Sequence, residues 1–162
     1  MKLFPAAAAL LLAALAACAT TPPEPAGPNY YVMRHLQKAQ GQDPALSEEG
    51  QRNAERLVRW LGKERVSAIY VSPTRRARET AGPLAAQLGL TPKVYNPADT
   101  PGLVGQVLAE TGTVLVVGHS NTVPDIVAGL GGTRPEPLSE ADFGDIWVIS
   151  GPEKKTERRR LY

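Results

Sequence analysis

The chain has a single cysteine, Cys18, in 162 residues, so no intrachain disulfide can brace it. Its stability must come from packing. Aromatic residues make up only 6%, which leaves aliphatic side chains to build the core. Histidine occurs twice, at His35 and His119. No group of His, Cys, Asp and Glu has metal-ligand spacing, so neither a metal nor another cofactor is expected. The net charge of +2 is too small to argue for nucleic acid, and no basic stripe is interleaved with aromatics. There is no internal repeat. The length is enough for one domain with a real core and too short for two.

The N-terminus has a pattern of its own. Met1-Lys2 is a short basic start, and Leu3 to Ala17 is an apolar run rich in alanine and leucine. That run is too short to span a bilayer and has the length of a signal-peptide core. It closes on Leu15-Ala16-Ala17-Cys18, which resembles the lipobox of bacterial lipoproteins. The resemblance implies that Cys18 is lipidated and becomes the mature N-terminus; the alternative is an ordinary secretory signal with a chance cysteine. Pro22, Pro23, Pro25 and Pro28 then mark an extended linker. The expected organisation is a signal peptide over 1–17, a proline-rich tether over 18–29 and a domain over 30–162. A lipid on Cys18 would hold the domain at a bacterial membrane, on the periplasmic or extracytoplasmic side of the cell envelope.

Within the domain, short apolar runs alternate with helical periodicity. Tyr30–Met33, Ser67–Val71, Pro92–Tyr95, Thr113–Val117 and Asp145–Ser150 read as strands. Ser47 suits an N-cap before Ala54, Leu57, Val58 and Leu61, and Gly62 suits the end of that helix. Pro73 suits the first turn of a second helix, in which Pro83 is expected to cause a kink or a new start. Leu103, Val104, Val107 and Leu108 predict a third helix, and Val123, Ile126, Val127 and Leu130 a fourth. Thr156–Tyr162 reads as an edge strand guarded by arginines. The alternation predicts an α/β fold, a three-layer α/β/α sandwich around a mostly parallel sheet.

Arg34-His35 ends the first strand, Ser72–Arg76 follows the second, and Gly118-His119-Ser120 follows the strand at Thr113–Val117. In a parallel sheet these three loops emerge on one edge, where such folds gather ligands. Arginines and imidazoles meeting there suit a phosphoryl group, because guanidinium forks match its oxygens. Amides at the start of the helix after His119 are expected to add donors.

At these residues the chain resembles the histidine phosphatase superfamily, also called the phosphoglycerate mutase-like family. The matching stretches are Tyr31-Val32-Met33-Arg34-His35, Leu46–Ala54, Val71–Ala81 and Val116–Asn121, in that order. In size it is similar to the small phosphohistidine phosphatases. The resemblance implies that His35 is the nucleophile and forms a phosphohistidine. Arg34 and His119 would hold the phosphoryl oxygens, and Arg76, which precedes Ala77, would complete the clamp, whereas Arg75 and Arg78 would not. It implies no metal. The substrate would be a phosphorylated small molecule or a phosphohistidine.

Two departures stand out. The family commonly has Gly after Arg-His, and Leu36 here implies a restricted approach for a bulky substrate. The general acid is also not evident. Asp99, past the third strand, is the first candidate, ahead of Glu79 and Asp125. The leading expectation is a metal-independent phosphatase acting on a phosphomonoester or phosphoramidate. The rivals are a mutase, a catalytically idle envelope module that binds a phosphorylated ligand, and a metal site joining the two histidines to Asp99 or Asp125.

Overall fold

A computed structural model describes residues 27–162. The expected signal peptide, Cys18 and most of the expected tether lie outside the described residues. The chain forms β1 (Tyr30–Arg34), α1 (Glu48–Leu61), β2 (Val66–Val71), α2 (Arg75–Leu88), β3 (Lys93–Val94), α3 (Thr100–Leu108), β4 (Thr113–Gly118), α4 (Val123–Gly129), β5 (Asp145–Ser150) and β6 (Lys155–Arg160). No described helix is long and apolar enough to cross a membrane.

The strands make one sheet in the order β3-β2-β4-β1-β5-β6. The pairs β2–β3, β2–β4 and β1–β4 are parallel, while β5 runs antiparallel to β1 and β6 antiparallel to β5. Strand alternation divides the core in two. Tyr31, Met33, Leu115 and Val117 face α1 and α2, packing on Ala54, Leu57, Ala77, Ala81 and Leu84. Tyr30, Val32, Val114 and Val116 face α3 and α4, packing on Leu103, Val107, Val123 and Ile126. These are the three layers predicted from the sequence.

Local chemistry fixes the helix ends. The Ser47 hydroxyl accepts the Gly50 amide and caps α1. Thr74, one residue after the expected Pro73, caps α2 by accepting from Ala77. Pro83 neither ends α2 nor begins a new helix: α2 runs through it as one element to a left-handed Gly89. Tertiary packing overrides the local penalty, since Ala81, Leu84 and Ala85 on either side are buried in the core. β3 is shorter than predicted, two exposed residues.

The basic C-terminal strand is paired at its charges. Arg158 and Arg160 meet the buried Asp145, while Lys155 and Arg159 meet Glu157. This fits a guarded sheet edge better than a basic face open to lipid.

Candidate active site

Register brings the two histidines together. Arg34 is the residue of β1 paired with Gly118 of β4, and the His35 amide donates to the Gly118 carbonyl at 2.9 Å. Each strand therefore delivers a histidine one residue past the same rung. The rings lie edge to face, with centroids 5.3 Å apart at 63°. Gly118 lets the chain turn closely into α4, because a Cβ there would stand 2.9 Å from Thr122 Oγ1.

His35 is buried, at 2% exposure. Its Nδ1 is 2.8 Å from the Leu36 carbonyl oxygen. A carbonyl can only accept, so Nδ1 carries the proton and the Nε2 lone pair of the neutral ring is left for bonding. Burial pushes the pKa of His35 down to about 4, assisted by the charges of Arg34 and Arg76 and opposed by the Leu36 hydrogen bond. His119 is also pushed down to about 4, first by burial, then by Arg76 and Arg34. Both imidazoles are neutral at pH 7. His119 is oriented through Nε2, which lies 2.8 Å from Ser72 Oγ.

The two arginines of the cluster are set from opposite sides. Arg34 is 2% exposed and stacks 4.2 Å from the centre of the Phe143 ring, which is itself 6.0 Å from the His35 ring. Its Nη1 donates to the Ser139 and Asp142 carbonyls at 2.8 and 3.3 Å. Its Nη2 donates to Glu140 Oε2 at 3.0 Å. Arg76 is half-buried and lies 3.7 Å from Asp43 Oδ1. The Nε atoms of both Arg34 and Arg76 are buried without a hydrogen-bond partner. A buried guanidinium donor left unpaired costs free energy, and two of them beside two neutral imidazoles make a cluster that favours an anion.

Arg34, His35, Arg76 and His119 thus converge as expected, while Arg75 turns outward to Glu79 and Arg78 is exposed. Leu36 requires a correction. Its side chain is fully buried in the α1–α2 core and does not project into the site. Its amide donates to Thr80 Oγ1, which in turn donates to the Arg76 carbonyl. Thr80 therefore ties the nucleophile's segment to the helix that carries the second arginine.

The helix after His119 also differs from expectation. α4 is only 7 residues long, and the Thr122 and Val123 amides donate to the His119 carbonyl. They are not free to bind an anion. Asp99 is exposed and caps α3, its Oδ1 accepting the Gly102 amide at 2.9 Å. This ties it to its own helix and not to the cluster. Glu79 accepts from the Leu46 amide and from Arg75, and Asp125 pairs with Arg134. Among the described residues, no group of three or more His, Cys, Asp or Glu could hold a metal ion.

Sequence reasoning passed over Ser72, Asp43, Thr80, Glu140 and Phe143 as parts of the site. Ser72 and Thr80 lie inside a matching stretch, so their place was open to inference. Glu140 and Phe143 come from an irregular loop with no periodicity to read.

A model of the histidine phosphatase superfamily (branch 1) matches residues 31–97, a stretch that holds Arg34, His35 and Arg76. Over that stretch, about two fifths of its length, the chain is similar to this superfamily. Among solved structures, the protein histidine phosphatase SixA complexed with tungstate shares 21% identity at a TM-score of 0.60, covering 81% of this chain and 94% of that one. A putative phosphohistidine phosphatase SixA from Nakamurella multipartitia shares 23% at 0.56, covering 82% and 94%. A mycobacterial glucosyl-3-phosphoglycerate phosphatase shares 19% at 0.62, covering 82% and 96%. At these identities the structures are relatives in fold. None of the curated proteins matches the sequence.

Proposed function

We propose that this protein is a histidine phosphatase, which hydrolyses a phosphomonoester or a phosphoramidate without a metal, through a phosphohistidine on His35. The observation that carries the reading is the meeting of two neutral imidazoles, His35 buried and His119 half-buried, with two arginines whose Nε atoms have no partner. In the first half-reaction the Nε2 lone pair of His35 attacks phosphorus. The new P–N bond forms as the bond to the leaving group breaks on the opposite side. Arg34, Arg76 and His119 hold the equatorial oxygens, where charge must be stabilised during transfer. In the second half a water oxygen attacks phosphorus, the P–N bond breaks, and inorganic phosphate and neutral His35 are regenerated.

The fold relatives include a protein histidine phosphatase and a glucosyl-3-phosphoglycerate phosphatase, which supports a phosphorylated substrate. The sequence at Cys18 supports a lipid anchor, with the domain facing the cell envelope at the end of a proline-rich tether.

The test uses the full chain in detergent with p-nitrophenyl phosphate and phosphoramidate, with and without a chelator. Turnover is expected to survive chelation and to disappear in His35→Ala, and acid-labile phosphate should be trapped on the wild-type chain. Phosphate binding without turnover of either compound would instead support a module that only binds phosphorylated ligands.

A further inference from the structure

We propose that Glu140 is the proton donor to the leaving group, on the reading that the cluster is a phosphatase site. In-line displacement places the leaving atom opposite the nucleophile. His35 is buried against the sheet edge at 2% exposure, so the leaving atom must point outward, toward the loop that covers the cluster. Among the described residues, two carboxylates touch the phosphate-binding arginines: Asp43 on Arg76 and Glu140 on Arg34.

These two carboxylates differ in freedom. Asp43 Oδ1 accepts the Arg75 amide at 2.9 Å and is thereby bound to the first turn of α2. Glu140 has a longer side chain that is 80% exposed, and it reaches in from the loop. Its Oε2 meets Arg34 and its Oε1 accepts from Ser120 Oγ at 3.2 Å. Arg34 immediately precedes His35 and Ser120 immediately follows His119. The carboxylate thus bridges the ends of β1 and β4, beside the residues that carry both rings.

In the free protein Glu140 is ionised, its pKa lowered first by the Arg34 charge and then by the Ser120 hydrogen bond. A phosphoryl dianion that takes over Arg34 removes that stabilisation and adds repulsion, so the carboxylate gains proton affinity beside the bond to be broken. As the P–O bond breaks and His35 Nε2 bonds to phosphorus, the Glu140 O–H transfers its proton to the departing oxygen. In the second half the carboxylate takes the proton of the attacking water as the P–N bond breaks, which restores the acid.

The experiment compares wild type, Glu140→Gln, Glu140→Asp and His35→Ala on aryl phosphates running from p-nitrophenyl to phenyl, together with phosphoramidate. Removing a general acid is expected to lower kcat/KM about 10²-fold on phenyl phosphate, with a much smaller loss on p-nitrophenyl phosphate. Dependence on the leaving group should therefore steepen in Glu140→Gln and recover in part in Glu140→Asp. Equal losses across the series, or none, overturn the assignment, as does wild-type turnover confined to phosphoramidate. If His35→Ala is inactive while the Glu140→Gln line runs parallel to wild type, only the Glu140 assignment fails. If the wild type turns over nothing, or His35→Ala stays active, the phosphatase reading fails first.

Discussion

A histidine that accepts a phosphoryl group must be unprotonated when its substrate arrives, and the same burial that exposes proteins to acid achieves this here. Both rings are pushed to about 4 in the folded chain, from an ordinary value near ~6.5. An unfolded chain binds protons at His35 and His119 below that ordinary value while the folded chain does not. Stability from this source is therefore fully present above about 6.5 and is lost as pH falls through about 4. The size is on the order of 3 kcal/mol for each ring. Since the chain has only two histidines, NMR titration of their ring carbons should give two midpoints well below the ordinary value, assigned by His35→Asn and His119→Asn. A midpoint near 6.5 for either ring would contradict the buried, cation-flanked geometry. These histidines were legible because each follows an apolar strand. Leu36 was misleading because the residue type says nothing of which way the side chain turns. Asp99 was placed past the right strand, but an aspartate three residues before Gly102 is also a helix cap, and the local hydrogen bond prevails.

At the scale of elements, the fold follows from periodicity and the site follows from register. Six strands, four helices and their layers were readable, five of the strands and all the helices because the apolar positions repeat at strand and helix spacing. The order β2-β4-β1, and so the meeting of Arg34 with Gly118, comes from long-range pairing that no local pattern displays. Pro83 shows the limit of local rules, since buried neighbours carry α2 through it. Gly50, inside one of the matching stretches, shows a constraint that composition hides. A Cβ there would fall 2.1 Å from the Gln37 carbonyl oxygen, which is backbone and cannot move aside cheaply. The Ser47 amide already donates to that same carbonyl, so α1 is pressed onto the segment two residues past His35. Gly50→Ala should force the two apart, costing about 1–3 kcal/mol as overpacking does and shifting His35. The expected result is a lowered denaturation midpoint with an unchanged m-value, together with a loss of kcat on p-nitrophenyl phosphate. A variant as stable and active as wild type would show that α1 is free to slide.

At the scale of the molecule, the site is assembled from three βα loops and completed by one later loop, so its parts have separate tasks. The sheet edge sets His35, His119 and Arg34, α2 brings Arg76, and Ser139–Phe143 closes over them through Arg34. None of these contacts uses residues before Tyr30. If Cys18 carries the anchor we propose, membrane attachment and chemistry are separable. Cys18→Ser should leave the domain's melting transition and its turnover of a water-soluble phosphate as in wild type, since the altered atom is far along the chain from the site. It should move the protein from the detergent phase to the aqueous phase on detergent partitioning, because multiple acyl chains hold a protein at a bilayer and none remains. The paired arginines of β6 give a second measurement. With Arg158 and Arg160 on Asp145, and Lys155 and Arg159 on Glu157, each cation of that strand already has a carboxylate partner. The Cys18→Ser chain should therefore not sediment with anionic vesicles at physiological salt. Sedimentation that persists and weakens with added salt would move membrane binding from the tether to the folded domain.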